Sequence, residues 1–367
     1  MFENLLLAYV LMALVVAMIV SFLMTPVVKT FAYKVGAIDV PKDNRRMHKE
    51  PIPRLGGLAI FIGFMVSILL FVPITPEMKS ILLGAVIIVV LGVVDDIMAL
   101  PAMLKFVVQI VAASIPATHG VTILAFSNPN IFSSDLYWVL GNLSVPFTVI
   151  WIVAITNAVN LIDGLDGLAN GVSAISATTM LVIALMVNQE VAVVMAALVG
   201  ACVGFMPYNL NPAKMFMGDT GATFLGFILA TMSIQGLFKY YAVISFVVPF
   251  LILGLPIFDT AFAFIRRIAH GQSPMHADRS HIHHRLIDMG LNQKQAVATL
   301  YVISAILGLS AVVLTTGGEE KAMLLFAALC IVAVVAARVV FPKEVQQEVQ
   351  SELEELKHHD HKKDEDE

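Results

Sequence analysis

Two cysteines in 367 residues leave too little sulfur for a disulfide framework or a thiolate metal site. Both, Cys202 and Cys330, fall inside long apolar stretches without metal-type spacing and read as buried structural residues. Charge is equally scarce. Asp, Glu, Lys and Arg make up 13% of the chain, roughly half the share usual in a soluble domain. Hydrophobic residues reach 59%, and the mean hydropathy is +0.87. This balance excludes a soluble globular domain and defines an integral membrane protein whose first partner is the lipid bilayer. Nothing in the chain points to nucleic acid. The net charge of −5 is uninformative, because the acidic C-terminal end supplies most of it.

What is abundant is long apolar runs. A helical span needs about 20 mostly apolar residues. Such runs fall at 5–28, 55–73, 79–98, 103–125, 137–158, 171–187, 191–207, 220–237, 243–265, 297–316 and 322–341. The expected fold is therefore all-α, a polytopic transmembrane bundle of about 11 spans. Pro116 and His119 interrupt the fourth run, where a shorter span would end. The first run is too long for a cleaved signal, lacks a basic n-region and is followed by Lys29 and Lys34, so it is expected to stay as a helix. Alternate loops carry fourteen Lys and Arg residues, Lys105 among them, against Lys79, Lys239 and Lys321 in the opposite set. Positive charge is retained in the cytoplasm, which places the N-terminus outside and the C-terminus inside. Two parts follow: residues 1–341 as the membrane domain and 342–367 as a charged cytoplasmic tail. In the tail, Val345, Val349, Leu353 and Leu356 suggest a short amphipathic helix before a solvated, disordered end.

The acids inside the membrane domain sit at span ends on the basic side. Ionised groups in hydrocarbon cost several kcal/mol, so acids near spans face a cavity, a partner or an ion. Asp95 and Asp96 close the run from Ile87 to Val94 and point about 100° apart on a helix. Asn157, Asn160, Asp163 and Asp166 recur every third residue, a series that converges only if the helix breaks or tightens. Gly164 and Gly167 permit that break and let backbone amides approach phosphate oxygens. Asp219 lies between Gly218 and Gly221, just before an apolar span whose N-terminus offers free amides. With Lys214 nearby it suits a Mg²⁺-pyrophosphate site, since Mg²⁺ takes one or two carboxylates plus phosphate oxygens. A fourth cluster holds His281, His283 and His284 between Arg279 and Arg285, which suits phosphate recognition and proton transfer. Zinc is disfavoured because no cysteine supports it.

Taken together, these four clusters and Pro53-Arg54-Leu55-Gly56-Gly57 resemble the polyprenyl-phosphate N-acetylhexosamine-1-phosphate transferases. That family includes the bacterial enzymes that begin teichoic acid, O-antigen and enterobacterial common antigen synthesis. The resemblance runs from about residue 20 to 316. It implies transfer of GlcNAc-1-phosphate from UDP-GlcNAc to undecaprenyl phosphate, releasing UMP at the cytoplasmic face of the bacterial inner membrane. By the same resemblance Asp219 is the principal Mg²⁺ ligand, with Mn²⁺ as a substitute ion and Asp96 and Asp163 assisting. Asp95 would orient or deprotonate the lipid phosphate. Leu165, Asp166, Asn209 and Phe216 match positions used around the uridine, and His281, His283, His284 and Arg285 would contact sugar or phosphate. Asn157 and Asn160 join the substrate-binding set. Arg46, His48 and Arg54 are further candidates for phosphate, with ordinary positive-inside charge as the alternative reading. Asp259 either lines the cleft or makes an interhelical hydrogen bond. A homodimer is compatible with the sequence.

Ile282 interrupts the histidine run, and position 99 is alanine, both of which favour the UDP-GlcNAc branch over the UDP-MurNAc-pentapeptide branch. An ion-coupled transporter would place ionisable groups near the midplane of repeated halves, and neither feature is present. A scaffold would not need such a density of acids and glycines at one face.

Overall fold

The computed structural model describes residues 2–40, 50–127, 137–238, 247–269, 281–316 and 321. Arg46, His48, Arg279, Cys330, the eleventh expected span and the whole tail, with the boundary expected at 341/342, lie outside the described residues. The part considered below belongs to one unit, Met1–Thr315.

The chain is predominantly helical: α1 (Phe2–Val35), α2 (Gly56–Phe71), α3 (Pro76–Met98), α4 (Ala102–Thr118), α5 (Ser144–Leu161), α6 (Leu168–Val187), α7 (Gln189–Asn209), α8 (Gly218–Ser233), α9 (Val247–Ile252), α10 (Gly254–Ala269), α11 (Ile282–Asp288) and α12 (Gln293–Thr316). Each of the first ten apolar runs meets a helix. Among the described residues, however, six helices are long and apolar enough to cross a membrane, fewer than the eleven spans expected from hydropathy. Three local effects alter the expected runs, two of them removing a span and one, at residues 137–139, only trimming a helix that still qualifies. The helix through Pro116 stops at Thr118, and Gly120 turns the chain at φ 92°. Residues 137–139 pair as a strand rather than opening the next helix. The ninth run divides at Leu253, where Pro256 has no amide to give back to Ile252.

The all-α expectation also needs two small additions. β1 (Ile38–Asp39) pairs antiparallel with β2 (Ile52–Pro53), and β3 (Ala125–Ser127) pairs with β4 (Tyr137–Val139). Both pairs are too short to leave a hydropathy signal.

At the centre is α8, buried from Thr220 to Ser233 and packed against α2, α3 and α5. A helix apolar on all sides belongs inside a bundle. Its N-terminus is thereby surrounded by the ends of the helices that carry the acidic clusters. Close approach at Gly92 of α3 makes this arrangement possible, because a Cβ there would collide with Thr220 Cα. Cys202 is buried within α7, as its apolar setting suggested.

Candidate active site

The site grows from the first turn of α8. The segment leading into it is stitched to the start of α2: Phe216 N–H donates to Pro53 O (2.9 Å), while Gly56 and Gly57 N–H donate to Phe216 O (2.9 Å) and Met217 O (2.8 Å). Two motifs separated by some 160 residues in the sequence thus form one backbone ladder. Asp96, at the end of α3, closes the same turn from the other side. Its Oδ1 accepts from Asp219 N–H (3.1 Å) and lies 3.3 Å from Arg54 Nε. Its Oδ2 accepts from Thr220 N–H (3.0 Å) and the Thr220 hydroxyl (2.7 Å). Asp96 therefore satisfies the free amides of a helix N-terminus from a different helix.

Its neighbour Asp95 faces another way. It accepts from Leu100 N–H (2.7 Å) and Lys105 Nζ (3.0 Å), and Lys105 Nζ also donates to Asp219 Oδ2 (3.1 Å). Asn160 Nδ2 donates to the other oxygen of Asp219 at 3.2 Å. One turn along each helix, Asn157 Nδ2 donates to buried Gln109 Oε1 at 2.6 Å. Asp95, Lys105, Gln109, Asn157, Asn160 and Asp219 line a polar chamber of about 30 Å³. That volume is enough for about one water molecule.

The turn between α5 and α6 breaks where the glycines allowed it. The helix ends at Leu161, and Gly167 adopts φ 78°. Asp166 Oδ2 accepts from Asn211 Nδ2 (2.9 Å) and Ala213 N–H (3.0 Å), which holds the loop before α8. Asn211 in turn donates to Gln293 at 2.7 Å, and Asn209 Nδ2 donates to Met215 O at 3.1 Å. Tyr301 of α12 fastens the turn from outside through a 2.5 Å bond to Gly167 O. Asp163 N–H donates to Asn160 O at 3.2 Å, but its carboxylate has no hydrogen-bond or ion-pair partner among the described residues. Burial first, and then the charges of Asp219, Asp96 and Asp166, push its carboxyl up to about 8.

These elements enclose a cavity of about 550 Å³ lined by Arg54, Asp96, Asp163, Leu165, Asp166, Asn209, Phe216, Asp219 and His284, with Asp39, Asn211, Asp288 and Gln293 adding further polar wall. Of the other expected site residues, Asp95, Asn157 and Asn160 line the small chamber beside Asp219. His281 and His283 are buried. His283 Nε2 has no hydrogen-bond partner among the described residues and packs on Gly164, where a Cβ would collide with that nitrogen. Burial, then the charge of His284, pushes the His283 imidazole down to about 4. Arg285 leaves the cavity wall and lies over the Phe262 ring, 5.0 Å from its centroid. Lys105, Gln109, Asn211 and Gln293 are the site residues that reading the sequence missed. Lys105 carried a usable signal: a lysine inside an apolar helix near the same membrane face as the acids. The amides carried none.

Does this donor set fit a divalent cation? Among the described residues no three His, Cys, Asp or Glu side chains are grouped as a metal site. Of the carboxylates that line the cavity, Asp219 and Asp163, the latter without a counter-charge among the described residues, suit Mg²⁺, which takes few protein oxygens and completes its shell with water and phosphate.

The model for glycosyl transferase family 4 matches residues 78–237, the stretch that holds Asp95, Asp96, Asp163, Asp166 and Asp219. A probable undecaprenyl-phosphate N-acetylglucosaminyl 1-phosphate transferase of Bacillus subtilis is 43% identical over 307 residues, covering 83% of this chain and 85% of the relative. The chain belongs to this transferase family. More distant members agree. A decaprenyl-phosphate N-acetylglucosaminephosphotransferase of Mycolicibacterium smegmatis is 32% identical over 80% of this chain and 79% of its own length. An undecaprenyl-phosphate alpha-N-acetylglucosaminyl 1-phosphate transferase of Thermotoga maritima is 32% identical over 72% of this chain and 78% of its own.

Proposed function

We propose that the protein transfers GlcNAc-1-phosphate from UDP-GlcNAc to undecaprenyl phosphate, forming the lipid pyrophosphoryl sugar and UMP. The observation that carries this reading is the convergence of the ends of α3, α5 and α8 on one polar cavity, with an apolar groove on the far side of α5. The groove, about 760 Å³, is lined by residues of α5, α9 and α10 such as Ile150, Ala154, Ala158, Phe250, Ala261 and Phe264. Helix α5 has an apolar face on this groove and a polar face, Asn157 and Asn160, beside Asp219. That arrangement suits an acceptor whose tail lies in lipid and whose phosphate must meet a soluble sugar nucleotide.

In the reaction, an oxygen of the lipid phosphate attacks the β-phosphorus, the bond to the bridging oxygen breaks, and UMP leaves with that oxygen. Arg54 and Lys105 supply positive charge for the phosphates. Asp95, bonded to Leu100 and Lys105 in the small chamber, is assigned to orienting Lys105 beside Asp219, while Leu165, Phe216 and Asp166 form the wall for the nucleoside. Mg²⁺, held by Asp219 and Asp163, would neutralise charge on the diphosphate as it does in phosphoryl transfer generally. Asp96, with both oxygens engaged by the start of α8, is assigned to positioning Asp219 rather than to binding the ion. The excess of Lys and Arg in alternate loops supports a cytoplasmic site in the bacterial inner membrane, with the N-terminus outside and up to eleven spans in the full chain.

Membranes carrying the protein should release UMP from UDP-GlcNAc only when both Mg²⁺ and a polyprenyl phosphate are supplied. UMP release that ignores the lipid, or solute uptake without UMP, would overturn the assignment.

A further inference from the structure

Asp259 lies outside both the nucleotide cavity and the acidic clusters, yet it is 3% exposed and makes two short hydrogen bonds across 22 and 23 residues of sequence. Its Oδ2 is 2.9 Å from His281 Nδ1. Its Oδ1 accepts from Ile282 N–H at 2.8 Å. His281 is 6% exposed, and its ring stacks parallel to that of His283 at 5.7 Å between centroids. His283 in turn covers Gly164, next to Asp163, while His284 lines the cavity. Asp259 belongs to α10, whose Ile257, Thr260 and Ala261 line the apolar groove. One carboxylate therefore ties the groove helix to the histidine segment.

Its chemistry is directional. An ionised carboxylate only accepts, so His281 must carry a proton on Nδ1, and the neutral ring is left with Nε2 as its acceptor. We propose that Asp259 is a positioning residue for the transfer reaction: it holds His281 as the Nδ1–H tautomer and pins the start of α11. The inference rests on the transferase reading for its kinetic consequence, but the tautomer itself is independent of that reading.

Asp259→Asn is a sharp probe because Ile282 N–H still demands an acceptor. The asparagine must turn its Oδ1 to Ile282, which aims its NH₂ at His281 Nδ1. His281 is then forced into the opposite tautomer, a hydrogen-bond donor at Nε2. An Asp-to-Asn change beside a catalytic histidine does this in serine proteases.

The test uses the full-length protein in detergent, labelled with ¹⁵N-histidine, with the His281 signals assigned by their loss in His281→Gln. At about pH 8.5, the wild type should show the proton on Nδ1 and Asp259→Asn should show it on Nε2. In parallel, Asp259→Asn should lower kcat by at least about 30-fold with KM for UDP-GlcNAc changed less than about 3-fold, since His281 does not line the nucleotide cavity. The double variant Asp259→Asn, His281→Gln should be no slower than His281→Gln alone, as expected for two residues acting as one unit. Asp259→Glu, which keeps an acceptor, should recover part of kcat. An unchanged tautomer in Asp259→Asn, or losses that multiply in the double variant, would overturn the proposal. A wild type that bears the Nδ1 proton but releases no UMP would refute the transferase reading and leave the tautomer assignment standing.

Discussion

Asp96→Asn should unfold the start of α8 more than it disturbs any ligand. Each oxygen of Asp96 receives two donors, and an amide offers only one acceptor oxygen. With its NH₂ turned toward Thr220, the hydroxyl can reverse and accept, but Thr220 N–H is stranded in a fully buried position. A stranded buried amide costs about 1–3 kcal/mol. Replacing an anionic acceptor by a neutral one weakens the remaining bond to Asp219 N–H by about half. The Arg54 side chain is 32% exposed, so its ion pair adds only a small further loss in solvent-screened surroundings. The sum is about 3 kcal/mol, or a fall of about 6 °C in Tm at about 2 °C per kcal/mol for a chain of this size. Asp219→Asn provides the contrast. Its oxygen can still accept from Lys105 or Asn160, and removing its charge relieves Asp163. That variant should melt within about 2 °C of wild type while losing about 10³-fold or more in UMP release, the scale of a lost electrostatic contact to the reacting groups. Thermal unfolding of the detergent-solubilised proteins, followed by intrinsic fluorescence, measures both. Equal melting of wild type and Asp96→Asn would refute the docking role of Asp96 and return it to the ligand set.

Lys105→Met should cut kcat by about 100-fold, because it removes a cation bonded to both Asp95 and Asp219, and Lys105→Arg should restore a minor part; steady-state UMP release decides. In Gly164→Ala the new methyl collides with His283 Nε2, so α11 must shift and activity should fall at least about 10-fold, measured beside a stability lowered by about 1–3 kcal/mol of overpacking. Burial holds His283 down to about 4 in the folded state, below the ordinary imidazole pKa of about 6.5. The unfolded chain therefore binds more protons between those values, and stability should be complete above about 6.5 and decline as pH falls toward 4. A Tm series against pH should show that decline flattened in His283→Gln.

Hydropathy is a local sum, and local sums were enough for the membrane class, the position of ten helices and the gathering of acids at helix ends. A break between the two helices was also legible; it falls between Leu161 and Leu168, and of the two glycines only Gly167 takes the left-handed conformation. What the sequence could not assign was the state of each acid. Asp95 and Asp96 are adjacent in the chain, yet one is engaged by Lys105 and the other by α8, through partners 10 and 124 residues away. Asp163 stood out in the sequence as a site residue, but its buried carboxyl surrounded by three like charges became visible only in the fold. Asp259 left two readings open, and only the approach of α11 shows it bonded to His281 and Ile282. Which carboxylate supports the fold and which is left to meet a ligand depends on which donors the packed helices bring within hydrogen-bonding distance. That distance is a property of the tertiary structure alone.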